Sequence, residues 1–322
     1  MIELPEGLLY IRRSAFESCS ALISVVIPST VTYVGSTAFY YCDKIVEAYI
    51  LSETVGTDYH NNGYISKYAD VTHTSRDEQS VLVIQDGYIF TVKDEINYLI
   101  GYVGNKTELT LPQYYNGAGY VIGDRAFMGC DTITSVTVPG SVTKIMASAF
   151  STCTSLKTIN LSYGLKEIGW YAFANCTSLE SIIIPSSVTM LDEGVFKNCS
   201  SLKSVKLPEG ISHIYYSTFE NCTSLEGIVL PDSVETLYMY AFRNCTSLKY
   251  IVFGKNFRFI GTMAFADVPH IEKKYYCGTR EQWNVIAIGE IYMPDIYFYS
   301  EDKPSSAFDY YWHYDGEKIV EW

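Results

Sequence analysis

The sequence carries none of the short motifs by which enzymes grip phosphates, metals or acyl groups. G-x-G-x-x-G, the P-loop, H-E-x-x-H, G-x-S-x-G and the EF-hand loop are all missing, and with them the glycine cradles, zinc helices and nucleophile elbows they build. No apolar run approaches the ~18–20 residues that cross a bilayer, so no membrane insertion is expected. Basic residues are in short supply: 23 Lys and Arg stand against 36 Asp and Glu, a net charge of −13. Phosphate backbones and anionic membrane surfaces both need a basic face, which argues against either as a partner. The nine Cys include no C-x-x-C pair and the five His are scattered, so neither a metal nor a cofactor is expected. No leader is visible at the start, where "MIELPEGLLYIRRSAF" already reads as mid-pattern.

What the chain has is a repeat. With Phe as phase zero, the pattern recurs at Phe16 and Phe39, then at Phe127, Phe150, Phe173, Phe196, Phe219, Phe242 and Phe265, in steps of 23 within each run. Cys follows three residues later in eight of the nine copies, and Val268 takes its place in the last. Leu or Ile follows at six, apolar residues at nine and eleven, as in Ile182 and Ile184, and then usually Pro. The alternation predicts a short strand with one buried face, and Pro stops it because it cannot donate to the next ladder position. Ala precedes Phe in all copies but those with Val195 and Thr218, which suits a tight bend. One unit cannot bury its apolar side alone, whereas stacked units can, as a parallel sheet with strands ~4.8 Å apart.

The stretch "IPSSVTMLDEGVFKNCSSLKSVKLP" resembles the BspA-like leucine-rich-repeat family of bacterial cell-surface proteins, over residues 1–50 and 105–277. The resemblance implies a mainly β repeat solenoid, a right-handed leucine-rich-repeat array of short parallel strands. It also implies an extracellular or cell-surface location, and adhesion to matrix proteins or to other cells. Four segments are expected. Residues 1–50 form a first block of repeats and residues 105–277 a second. Between them, 51–104 combine an irregular segment, with a short helix near Ile65–Ala69, and a three-stranded β-meander whose first turn is Asp86-Gly87. Residues 278–322 form an aromatic cap with a short helix, N-capped by Thr279 with Gln282 at the capping-box position, and a hairpin around Asp315-Gly316. Aromatic tails of this kind follow the repeats in relatives of the family.

Eight Cys in one phase form a column of buried apolar thiols, expected to react only on denaturation. The Asn of the "NCT" and "NCS" triplets, Asn175, Asn198, Asn221 and Asn244, shares one phase as well. Its side chain is expected to bond backbone in the turn rather than carry a glycan.

Two surface patterns are candidate binding faces. On the strand face, Lys157, Glu180, Lys203, Glu226 and Lys249 alternate in sign on successive rungs. The outward position beside them reads Asn160, Ile183, Lys206, Val229 and Val252, so apolar groups meet solvent. Before the Phe, Trp170, Tyr171, Tyr215, Tyr216, Tyr238 and Tyr240 share nearby phases and are expected to cluster on the bend, where aromatic rings can take up protein or sugar. No pair of carboxylates is marked for acid and base roles, and Glu180 and Glu226 read as bystanders. The expected function is a non-catalytic adhesion module presenting an extended face to a protein or glycan on host or neighbouring cells. The alternative is an accessory module that targets a larger surface enzyme to its carbohydrate or protein substrate.

Overall fold

The computed structural model describes residues 1–269, 271–288, 295–302 and 310–321, in two compact units, Met1–Val92 and Lys93–Trp322. The repeat sets the pairing in both. Ser181, Ile182 and Ile183 lie opposite Ser204, Val205 and Lys206, so each residue pairs in parallel with its counterpart one period on. Identical side chains therefore stack in columns, and the repeat is a solenoid of short strands.

Each turn contributes three walls. The first holds the strand after Cys, such as Thr158–Leu161, Ser181–Ile183, Ser204–Lys206, Gly227–Val229 and Tyr250–Phe253. The second holds two-residue strands such as Glu167–Ile168 and Met190–Leu191, then His213–Ile214 and Thr236–Leu237. The third is the turn around Phe. Both strand walls are divided into separate ladders, whereas the turn wall of the second unit runs unbroken from Phe127 to Phe265. From Phe127 to Phe242, each Phe amide donates to the residue that precedes the next Phe, at 2.7–2.9 Å.

The turn wall explains the repeated letters. Residues two before and two after most of the Phe adopt positive φ, for example Tyr171 at 54° and Asn175 at 61°. The later position favours Asn among residues with a side chain. The rings of Phe127 through Phe265 stack at 4.9–5.7 Å with interplanar angles of 2–12°. The thiols of Cys42, Cys153, Cys176, Cys199, Cys222 and Cys245 each donate to the Phe carbonyl one rung earlier, as Cys199 does to Phe173 at 3.1 Å. The Asn side chains bond one another, Asn198 to Asn175 at 2.8 Å, Asn221 to Asn198 at 2.6 Å and Asn244 to Asn221 at 2.8 Å. Their partner is thus the next Asn, not the turn backbone that the sequence suggested.

The thiol column narrows for the same reason. Cys42, Cys153, Cys176, Cys199, Cys222 and Cys245 are buried, but Cys19 is exposed and Cys130 half-buried. Cys19 and Cys130 open their blocks, so no Phe rung precedes them. Burial pushes Cys199 and Cys245 up to about 12.

In the first unit, Ile2–Glu3, Ser24–Ile27 and Glu47–Ile50 run parallel, and Phe16 stacks on Phe39 at 4.9 Å. Residues 51–80 do more than wander. The helix is there, at Ile65–Tyr68, and Val71–His73 then adds a parallel strand beside Glu47–Tyr49. The Phe39 amide donates to Gly63, so this segment takes the place of a further rung. A side chain at Gly63, where φ is +67°, would strike Val34 and Ala38 at under 3 Å. Asp86 and Gly87, both at positive φ, turn Val83–Gln85 back on Tyr88–Phe90 as an antiparallel hairpin. In the second unit the third strand expected of the meander, Ile96–Tyr102, pairs in parallel with Tyr120–Ile122 and serves as a rung of the second wall.

At the C-terminus, Lys273–Tyr276 and Ile296–Tyr299 continue the first wall. The helix Arg280–Trp283 has the full capping box, with Gln282 N–H donating to Thr279 Oγ1 and Thr279 N–H to Gln282 Oε1. Its Trp283 packs on Phe253 and Tyr276, each at 5.2 Å. Tyr310–Asp315 and Lys318–Glu321 form the hairpin. Residues 289–294, 303–309 and 322 of the expected cap lie outside the described residues.

Candidate interaction surface

The outward column of the first wall divides where the hairpin reaches it. Ile183 is 67% exposed and Val229 41%, but Val252 is fully buried. The sequence reading placed Val252 in solvent; instead Trp312 and Tyr275 pack against it. Trp312 meets Tyr275 at 5.3 Å in a tilted arrangement, and its indole N–H donates to the Tyr276 carbonyl at 3.2 Å. From there the hairpin crosses neighbouring rungs. Tyr314 shares with Val229 the lining of two cavities, of about 360 and 490 Å³. At the turn, Glu317 comes within 3.7 Å of Lys206. The returning strand is tied down at Glu321, which accepts from Tyr275 at 2.7 Å and from Lys273 at 2.9 Å. The tail therefore starts as one more parallel strand, Tyr310–Trp312 beside Tyr297–Tyr299, and its hairpin then reaches back over the strand face as a strap. The outward-facing aromatics of the last rungs are its seat.

The charged column is paired in twos. Lys203 meets Glu180 at 3.2 Å and Lys249 meets Glu226 at 3.5 Å. All four side chains are more than half exposed, so each pair contributes only ~0–1 kcal/mol. Lys157 has no ion-pair partner among the described residues. The pairing leaves Lys157 available at the uncovered rungs.

The aromatic candidates do not form one patch. Tyr215 stacks on Tyr238 at 5.3 Å, Tyr216 lies 5.0 Å from Tyr238, and His213 meets both Tyr215 and Tyr238 edge-on. Tyr240 lies under the Arg243 guanidinium at 5.2 Å. Tyr171 is one rung removed. Its ring lies over Gly194 and its hydroxyl donates to Glu193 at 3.2 Å, and burial followed by the Glu193 charge raises its pKa. Trp170, 59% exposed, has no ring packed on it among the described residues. The rung carrying Asp192, Glu193 and Gly194 offers no aromatic and so splits the row.

One cluster escaped the sequence reading. His73 is buried with both ring nitrogens facing carboxylates, Nε2 to Glu47 at 2.9 Å and Nδ1 to Glu78 at 3.1 Å. Buried Glu47 also accepts from Ser80 at 2.8 Å, Val81 N–H at 3.1 Å and Tyr49 at 3.1 Å. These residues are far apart in sequence, and no short spacing signals them. Among the described residues no group of three or more His, Cys, Asp or Glu side chains is placed to hold a metal ion, and no helix is long and apolar enough to cross a membrane.

A family model described as the BspA type leucine rich repeat region matches six copies, over residues 1–67, 120–246 and 212–284. Among solved structures, the chain is similar to a leucine-rich repeat protein of T. pallidum, 30% identical over 56% of this chain and 84% of that one, with a TM-score of 0.52. It is also similar to a leucine-rich repeat protein of Eubacterium ventriosum, 18% identical over 91% and 83%, TM-score 0.46. A third likeness is to a leucine rich cell surface protein of Faecalibacterium prausnitzii, 18% identical over 65% and 98%, TM-score 0.29. No curated protein matches the sequence.

Proposed function

Because the chain belongs to the BspA-type leucine-rich-repeat family, whose arrays are protein-interaction modules, we propose that it is a non-catalytic adhesion module of a bacterial cell-surface protein. Its binding face is the uncovered part of the first strand wall. The observation that carries this reading is the exposure of Ile183, at 67%, on a strand whose neighbouring Ile182 is 3% exposed. An apolar group left open on a regular, charged, rigid sheet is suited to a macromolecular partner. The aromatic row supports the reading less well, because its rings are spent on one another and on Glu193 and Arg243. The cell-surface setting is supported by the family.

The test is capture of ligands from arrays of matrix proteins and glycans by the intact chain. Ile183→Glu is expected to lose the captured partner, while replacing Trp170, Tyr215 and Tyr238 by Ala leaves it bound. The opposite pattern would move the site to the aromatic row, and retention by both variants would remove both faces.

A further inference from the structure

The chain already shows what its strand face accepts. The strap seats Trp312 and Tyr314, two residues apart on one strand and hence on one side of it, over the rungs of Val252 and Val229. Its acidic turn meets Lys206. The column continues beyond the strap into Ile183, 67% exposed, and Asn160, with no other described segment laid on it. In-facing residues of an extended segment recur about every 6.8 Å, and rungs about every 4.8 Å, so a segment that crosses obliquely, at about 45°, brings two or three in-facing side chains to successive rungs. The charge of the uncovered part is also specific. Lys203 is paired with Glu180 and Lys206 with Glu317 of the strap, which leaves Lys157 as the cation without an ion-pair partner among the described residues, in a chain whose net charge is −13. The counterpart of that surface is acidic.

We propose that the uncovered column Asn160–Ile183, flanked by Lys157, docks an extended, aromatic and acidic peptide segment of a partner protein, laid across the rungs as the strap is laid across Val229 and Val252. This deepens the reading above and rests on it: the strand face is the binding face, and the partner's docking element resembles the chain's own tail in chemistry. The aromatic group covers Ile183, and an acidic group meets Lys157. A basic segment is repelled from the same place.

The probe is a fluorescein-labelled peptide with the sequence of residues 310–321, titrated against the full chain by fluorescence anisotropy. A second peptide has its Asp and Glu replaced by Lys. Binding of the acidic peptide is expected, at least tenfold tighter than that of the basic one and weakened at about 0.5 M salt. Ile183→Glu and Lys157→Glu should each lower affinity tenfold or more. Both side chains are exposed, so circular dichroism should show the fold unchanged; Trp170→Ala should have no effect. Equal binding of the two peptides, or binding that survives Ile183→Glu, overturns the proposal. If no peptide binds but Ile183→Glu still abolishes capture of an array ligand, the strand face stands and the peptide class falls. If the chain dimerises with concentration and Ile183→Glu prevents it, the occupant is a second copy, and the partner-protein proposal falls.

Discussion

Phe196 and Trp312 are both fully buried aromatic side chains, but their neighbours differ in kind. Phe196 lies between Phe173 and Phe219, at 5.7 and 5.5 Å and nearly parallel to each. Trp312 meets Tyr275, Tyr299 and Tyr314 at angles of 56–79° and closes over Val252. In the turn wall a residue is held by its own counterparts, so the arrangement can be extended rung by rung. In the strap each contact is made once, and the pattern stops there. An array built only of like-on-like contacts has no natural end. The strap supplies one by giving the last outward aromatics a partner other than a further copy.

The largest test of that contrast is truncation of each ring. Phe196→Ala should cost about 3–5 kcal/mol in urea unfolding, with amide protection lost from rungs on both sides, because each rung rests on two others. Trp312→Ala should cost a similar amount locally, but its loss of protection should be confined to Tyr250–Tyr299 and the strap. Identical, chain-wide loss of protection in both variants would erase the distinction.

Thiol reactivity tests the same stacking without mutation. Cys19, exposed on an opening rung, should label within the native state. Cys199, held at about 12 by burial, should label orders of magnitude more slowly, since its thiolate is scarce and its sulfur inaccessible. Native-state labelling of Cys199 at the rate of Cys19 would mean that the wall opens readily.

Like-on-like contacts are what a sequence displays. The 23-residue step fixes the pairing of Ser181 with Ser204, the Phe stack and the column of Cys, because equal phase means equal place. It also locates the candidate outward column. It does not say which members of that column stay outside. Val252 has the same phase as Val229, and only the tail, dozens of residues later, decides that one is covered. The Glu47–His73–Glu78 cluster is hidden for the same reason, as is the rung made by Gly63 and Val71–His73, whose letters share nothing with the repeat. The Asn ladder was half visible: the phase marked a structural role, but side-chain bonding between rungs becomes apparent only once the rungs are stacked.

Asn198 allows the two contributions at its position to be separated. Its φ of 62° burdens any residue with a β-carbon, and its amide donates to Asn175 while its carbonyl accepts from Asn221. Asn198→Ala should cost about 1–2 kcal/mol, losing the bonds and straining the turn. Asn198→Gly loses the bonds but relieves the backbone, and should cost less. Equal losses in thermal unfolding would assign the whole effect to the ladder.

The smallest expected effect lies in the one-of-a-kind contacts around His73. Glu78 accepts from the amides of Thr74 at 2.8 Å and Ser75 at 3.0 Å and faces His73 at 3.1 Å. Those backbone donors and the imidazole hold its carboxyl at about 2, below the usual carboxylate range. A folded carboxyl with a depressed pKa adds stability that is complete above the unfolded value and is lost as pH falls through the folded one. Between about pH 4.5 and 2, residues 74–81 should therefore loosen, seen as faster amide exchange or proteolysis there, and Glu78→Gln should reproduce this at neutral pH. The Phe, Cys and Asn of the turn wall have no group that titrates in that window, so their protection should hold while the loop opens. If the two decline together, the singular contacts are as much a part of the cooperative core as the repeated ones, and the contrast drawn between Phe196 and Trp312 fails with them.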